Sequence, residues 1–156
     1  MLFCSYYSSD YEAEMALENI FDIEGDGSED DGTLYSLSDE FLEAARVLQA
    51  TPPTRVNFSS ATYYLLGHSA ELILKAFLFR HGVSIVDLKK IGHDLEKLVY
   101  RAKEKGLPEK VDLQQTLKLA DIYKDKSFEY RTRKRKLLPS LDLLTEEIER
   151  LQSVVF

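Results

Sequence analysis

The sequence predicts an all-α protein, an antiparallel bundle of about five or six helices. Apolar residues recur at helical spacing in most segments, and no segment shows the sustained apolar–polar alternation of a β-strand. Glycines and prolines separate these segments at short intervals. With 156 residues, 44% apolar and 30% charged, the chain is long enough for one domain with its own core.

The N-terminal third is predicted to hold two helices separated by an acidic loop. A capping-box pattern begins at Ser9 and predicts a helix to about Asp22. The acidic, glycine-rich residues 22–32 predict a loop. Ser36 or Ser38 is expected to cap the next helix, which the following Pro-Pro pair ends.

The central helix is predicted over residues 60–82, SATYYLLGHSAELILKAFLFRHG. Apolar side chains cover nearly every direction of its helical wheel, which is typical of a buried helix. Its ionisable residues would be costly at the centre of a bilayer, so no membrane span is predicted. One face carries residues at i, i+4, i+7 and i+11, here called the polar seam: Tyr64, His68, Glu71 and Lys75.

The polar seam has two interpretations. Glu71 and Lys75 have the spacing and order of a helical ion pair, and neighbours in the core can satisfy the other polar groups. Alternatively, a His–Glu–Lys line on a core helix marks a binding groove or a subunit interface. The sequence leaves both open.

The C-terminal half is predicted to add four helices after Gly82, which is placed to end the central helix. They are expected to begin at Ser84, at His93-Asp94, after a cap at Asp112, and near Pro139-Ser140. We therefore divide the chain into an N-terminal helix and acidic Gly/Asp loop extension, residues 1–35, and a helical bundle domain, residues 36–156.

Charge is distributed unevenly along the chain. The net charge is −7, made up of −12 in residues 1–50 and +5 in residues 51–156. This asymmetry suggests a basic surface that meets an anionic partner or is partly masked by the acidic front. The only cysteine, Cys4, permits no internal disulfide, and the opening residues lack a cationic signal region, so a cytoplasmic location is predicted.

No metal or cofactor site is predicted. Asp22, Glu24 and Asp26 alternate before Gly27 as in a calcium loop, but Thr33 stands where that loop needs a bidentate glutamate. Phosphate-loop, dinucleotide-binding and zinc-protease motifs are missing from the sequence.

A basic run follows residue 130. Five of its six residues are cations, and they could contact phosphates without sequence preference: Arg131, Arg133, Lys134, Arg135 and Lys136. Three aromatic residues precede the run and could stack on bases: Tyr123, Phe128 and Tyr130. A solvated loop before the last helix is an equally good interpretation.

The segment Ala70-Glu71-Leu72-Ile73-Leu74-Lys75-Ala76, followed by Gly82 and then His93-Asp94-Leu95, resembles the HEPN (higher eukaryotes and prokaryotes nucleotide-binding) domain family. The resemblance covers about residues 38–151, and Tyr130-Arg131 is similar to the family's closing aromatic–arginine element. It implies a four- or five-helix up-and-down core that usually forms a homodimer.

The same resemblance implies either a metal-independent ribonuclease or a non-catalytic module that binds nucleotides or accompanies a nucleotidyltransferase-type partner protein. The ribonuclease branch carries an arginine four to six residues before a histidine. No histidine of this sequence has an arginine at that spacing.

Our preferred hypothesis is a non-catalytic HEPN-like homodimer that binds a nucleotide, RNA or a partner protein in a groove formed by the polar seam, His93 and Arg131. An alternative is an atypical metal-independent ribonuclease of a toxin–antitoxin or defence system. It would use His68 or His93 for proton transfer and Arg131 for charge. A third hypothesis is a purely structural dimerisation domain.

Overall fold

The protein is described by a computed structural model over residues 30–130 and 135–156. These residues form six α-helices and contain no β-strand, which confirms the predicted all-α helical bundle. The helices are α1 Asp31–Ala50, α2 Ser59–Arg80, α3 Ile85–Ile91, α4 Leu95–Glu104, α5 Gln114–Lys124 and α6 Leu141–Val155. Several predicted features lie outside the described residues: the helix from Ser9, residues 22–29 of the acidic loop with its calcium-like pattern, Cys4, Arg131, Arg133 and Lys134.

Helix α2 is the buried centre of the bundle, as its apolar wheel predicts. Leu66, Ile73 and Leu74 on this helix have no exposed surface, and side chains of all five other helices pack in the same core. Within the described ranges, no helix has the length and apolar content needed to cross a membrane.

Helix α1 packs antiparallel to α2 through small side chains. Ser38 Oγ donates to the carbonyl oxygen of Ser69 at 2.9 Å, and Ser69 Oγ donates to the carbonyl oxygen of Ser38 at 2.7 Å. Gln152 of α6 donates its Nε2–H to Ser38 Oγ at 3.0 Å. Because these buried polar groups satisfy one another, they fix the register of three helices.

The predicted start of α1 was wrong. The helix begins at Asp31, and Asp30 caps it by accepting the Thr33 N–H at 2.6 Å. Ser38 lies buried inside the helix. The additional first turn is stabilised because Leu34 packs in a small cluster with residues of α2, so the helix crosses the 35/36 division drawn from sequence.

The start of α5 is held by another helix. The predicted cap at Asp112 was wrong: Leu113 is the N-cap, and Asp112 accepts the Gln114 N–H at 3.1 Å. The buried Glu147 of α6 accepts the N–H groups of Gln115 at 2.9 Å and Thr116 at 2.8 Å. A carboxylate at a helix N-terminus is favourable, although burial raises the pKa of Glu147.

The other predicted boundaries are confirmed. Ser84, Asp94 and Ser140 cap α3, α4 and α6 by accepting backbone N–H groups three residues ahead. Gly82 follows the end of α2 with a φ of +82°. The loop after α3 turns at Gly92, whose φ of +64° suits a residue without a Cβ and leads directly into His93.

Candidate functional site

A buried carboxylate at the middle of α2 gathers side chains from two other parts of the chain. Glu71 has 2% of its side chain exposed, and its Oε1 accepts a hydrogen bond from Lys75 Nζ at 2.5 Å. Its Oε2 accepts the Tyr123 hydroxyl at 2.7 Å and His93 Nδ1–H at 2.8 Å. We call these residues, with His68, the Glu71 cluster.

The protons in the Glu71 cluster can be assigned from its geometry. Tyr123 has one hydroxyl proton and donates it to Glu71, so its oxygen accepts the Nδ1–H of His68 at 3.0 Å. His93 also uses its Nδ1–H. Both imidazoles therefore carry hydrogen on Nδ1, and Nε2 is the ring nitrogen that Glu71 and Tyr123 leave uncommitted.

The charge of the cluster follows from competing effects. Burial by itself disfavours the ionised form of Glu71, but the polar groups of His68, Lys75 and His93 favour it more strongly. The pKa of Glu71 is consequently lowered from 4.5 to about 2. Burial, and then the charge of Glu71, raise the pKa of Tyr123, which keeps its hydroxyl protonated as a donor.

Close packing of α5 on α2 brings Tyr123 to the carboxylate. A Cβ on Gly67 would lie 2.5 Å from Tyr123 Cδ2 and 2.8 Å from Cε2. No side chain larger than hydrogen therefore fits between the α2 backbone and the phenol ring in this arrangement. Gly67 is thus part of the site although it carries no functional group.

Two aromatic rings pack against His68. The Tyr64 ring lies parallel to the His68 ring, with centroids 6.0 Å apart, and Phe41 of α1 meets it edge-on at 4.4 Å. His68 has 22% of its side chain exposed and His93 has 55%. The cluster therefore runs from the core at Glu71 to the solvent at His93.

The residue after His93 joins the site to α5 a second time. Asp94 is buried, and its Oδ2 accepts a hydrogen bond from Lys124 Nζ at 2.7 Å. Burial opposes ionisation of Asp94, but hydrogen bonds from Lys124 and from the Lys97 backbone lower its pKa. Lys124 and Lys97 thus bring two cations to Asp94, the residue after His93.

Several residues predicted from the sequence do come together. All four residues of the polar seam and His93 belong to the cluster or touch it. Arg131, Arg133 and Lys134 lie outside the described residues, so their place in a groove stays a prediction.

The two described residues of the basic run, Arg135 and Lys136, differ in exposure and in hydrogen bonding. Arg135 is exposed. Lys136 Nζ donates to Asp125 at 3.2 Å and to Ser127 at 2.5 Å, so it is already used to tie the run to the end of α5.

The aromatic residues before the basic run also separate into buried and exposed. Tyr123 has only 5% of its surface exposed, so its predicted role in base stacking was wrong. Phe128 stacks on Tyr63 of α2, with ring centroids 5.7 Å apart. Tyr130, 67% exposed, keeps a free ring face for stacking.

Sequence reasoning missed Tyr123 as a polar member of the site. A buried tyrosine in a helical pattern gives no indication of which acceptor its hydroxyl reaches. A buried glutamate in the facing helix is a signal that could have indicated the pairing, because both groups require a partner.

The chemistry available at the cluster is proton transfer and anion contact. A histidine whose Nδ1–H is held by a carboxylate presents Nε2 in a fixed orientation, either as a base or, when protonated, as a donor. In the part of the chain that the structure describes, no group of three or more His, Cys, Asp or Glu side chains is placed to hold a metal ion.

Comparison of the chain with protein-family models, with curated proteins and with solved structures finds no match. The resemblance to the HEPN family therefore rests on the residues quoted above.

The lowered pKa of Glu71 predicts acid sensitivity. Its folded pKa lies below its unfolded value, so its contribution is present above pH 4.5 and is lost as pH falls towards 2. A shift of this size corresponds to about 3 kcal/mol. Urea titrations at pH 7 and at lower pH measure how much the free energy of unfolding falls on acidification. We expect this fall to be smaller for Glu71→Gln than for the wild type. Glu40→Gln, on the exposed face of α1, should show the same fall as the wild type.

Proposed function

We propose that this chain is a non-catalytic HEPN-like binding module that acts as a homodimer and takes a phosphate-bearing ligand, a nucleotide or an RNA segment, at the exposed edge of the Glu71 cluster. The observation that carries the proposal is the hydrogen bond between Glu71 Oε2 and His93 Nδ1. It orients a half-exposed histidine, and three lysines pair with Glu71 and with Asp94, the residue after His93.

The charges near His93 support an anionic ligand. Lys75 is held by Glu71, while Lys97 and Lys124 are 70% and 56% exposed and share the single carboxylate of Asp94. Two exposed ammonium groups on one carboxylate offer cations to an incoming phosphate, while the carboxylates of Glu96 and Asp121 also act on Lys124. Phosphate contacts of this kind supply affinity without base preference. The dimeric state rests on the family resemblance.

A metal-independent ribonuclease is the second candidate, and the same hydrogen bond favours it. A carboxylate that holds the Nδ1–H of a histidine and frees Nε2 for proton transfer is the arrangement used by catalytic dyads and triads. His93 would accept the proton of a ribose 2′-hydroxyl, and a cation of the site would stabilise the developing charge. The missing Arg–His motif makes this the lesser candidate.

Binding of a fluorescein-labelled, mixed-sequence single-stranded RNA, followed by fluorescence anisotropy in EDTA, tests the proposal. We expect the wild type to bind more weakly at about 200 mM salt than at about 50 mM salt. His93→Ala should weaken binding about tenfold, the effect of losing one hydrogen bond to a charged group. His81→Ala is the matched control, because this exposed histidine contacts only its own helix end.

The same samples, run on a denaturing gel, separate the candidates. Intact RNA with salt-sensitive, His93-dependent binding supports the module. Cleavage that His93→Ala abolishes and His81→Ala retains supports the ribonuclease. If the wild type neither binds nor cleaves RNA, the proposal is contradicted and a structural dimerisation role is left, which sedimentation would then test.

A further inference from the structure

A second concave surface lies between α3 and α4, and Lys97 is the one residue that it shares with the proposed ligand site at His93. It is a groove of about 490 Å³ with an apolar floor and a basic rim. The apolar lining is Val83, Ile91 and Tyr100. The charged lining has three cations, Lys90, Lys97 and Arg101, and two acids, Asp87 and Glu104, so the cations are in excess by one. Tyr100 is 57% exposed, so its ring is accessible to an occupant of the groove.

The basic rim is only loosely neutralised. Lys90 pairs with Asp87 at 3.1 Å and Arg101 pairs with Glu104 at 2.9 Å, and at least half of each of these side chains is exposed. Exposed pairs of this kind contribute about 0–1 kcal/mol each. An incoming carboxylate can therefore join or replace them at little cost.

The chain enters the described structure beside this groove. Asp31, the first residue of α1, accepts a hydrogen bond from Arg80 Nε at 2.9 Å, and Arg80 lies three residues before Val83 of the groove floor. Leu34 in the next turn belongs to a cluster that Ile85, the first residue of α3, packs against. Whatever precedes residue 30 begins close to the groove.

The preceding residues have the complementary composition. Residues 1–29 contain eight acidic residues, no lysine or arginine, and five aromatic residues. The remaining residues, 30–156, carry 20 cations against 19 acids, so the acidic excess of the chain is concentrated in the first segment. The helix predicted after Ser9 carries an apolar stripe, and such a stripe needs an apolar surface to cover it: Tyr11, Met15, Ile20 and Phe21.

We propose that residues 1–29 occupy the α3–α4 groove of the same chain, with their aromatic and aliphatic side chains against Val83, Ile91 and Tyr100 and their carboxylates facing Lys90, Lys97 and Arg101. The length is sufficient. Twenty-nine residues at roughly 3.3 Å each far exceed the span of α4, about 1.5 Å for each of its 10 residues.

The sole cysteine allows a direct test on the full chain. A nitroxide spin label on Cys4 broadens the amide NMR signals of residues that it approaches, and a second label is placed at Asn19→Cys in a Cys4→Ser background. We expect the strongest broadening at residues 83–104 from at least one label. The double change Lys90→Glu with Arg101→Glu should remove most of it, because it reverses two charges on the rim and leaves Lys97 and the site at His93 unchanged.

The matched control is Lys103→Glu with Lys118→Glu, which changes the net charge equally at exposed positions outside the groove. This control should keep the broadening. Three results would overturn the proposal: even broadening over the bundle, broadening concentrated at Arg135 and Lys136, or broadening that the rim reversal leaves unchanged. Broadening that appears only between a labelled and an unlabelled molecule in a mixture would assign the groove to a second copy instead.

Discussion

Replacing Glu71 by alanine is expected to lower the free energy of unfolding by about 3–5 kcal/mol. The carboxylate is the common acceptor for Lys75, Tyr123 and His93. Its removal leaves a buried hydroxyl and a largely buried ammonium without their partner, and such groups lose their water without compensation. Urea denaturation at pH 7, followed by circular dichroism, measures the change.

A loss of this size would leave much of the protein folded, because small domains are stable by about 5–15 kcal/mol. Glu40→Ala on the exposed face of α1 is the matched control and should change stability by no more than about 0.5 kcal/mol. If Glu71→Ala and Glu40→Ala destabilise equally, the Glu71 cluster does not hold the bundle together. Any ligand binding at the cluster would then require a different physical account.

Replacing Gly67 by alanine is expected to destabilise the protein by about 1–3 kcal/mol, the usual cost of overpacking a core. The added methyl group would lie 2.5 Å from the Tyr123 ring, so the ring must move. Its hydroxyl then leaves Glu71 and His68, to which it is bound at 2.7 Å and 3.0 Å. Chemical denaturation together with the near-ultraviolet signal of the buried tyrosine measures the effect.

The sign of this effect should reverse when Tyr123 is truncated. Within a helix, alanine is favoured over glycine by about 1 kcal/mol. In a Tyr123→Ala background the methyl group of Gly67→Ala meets no phenol ring, so the second change should stabilise the protein. A double-mutant cycle with no coupling between the two positions would show that the close contact between Gly67 and Tyr123 is not the cause.

The helices could be predicted from sequence wherever neighbouring residues formed a strong apolar or capping pattern. The apolar wheel of residues 60–82 predicted a buried helix, and Ser84, Asp94 and Ser140 were found where their capping patterns placed them. The start of α1 was predicted wrongly because its first turn depends on packing of Leu34 against α2, and that contact joins residues distant in sequence. The hydrogen bonds from the start of α5 to Glu147 could not be predicted either, because they also join residues distant in sequence.

The candidate site was accessible only in part. Helical spacing placed Tyr64, His68, Glu71 and Lys75 on one face, since that follows from 100° per residue alone. The resemblance to a known family added His93. Neither the helical spacing nor the resemblance indicated that His93 and Tyr123 would donate to the same oxygen of Glu71.

The sequence by itself determined that this protein is an all-α bundle around one buried helix, because helical periodicity, caps and breakers are written in neighbouring residues. Only the tertiary structure decided which protons are held and which ring nitrogens are free. The Glu71 cluster joins α2 to residues 22 and 52 positions away. Its geometry depends on how closely two helices approach at Gly67, and this distance is set by packing of the whole core.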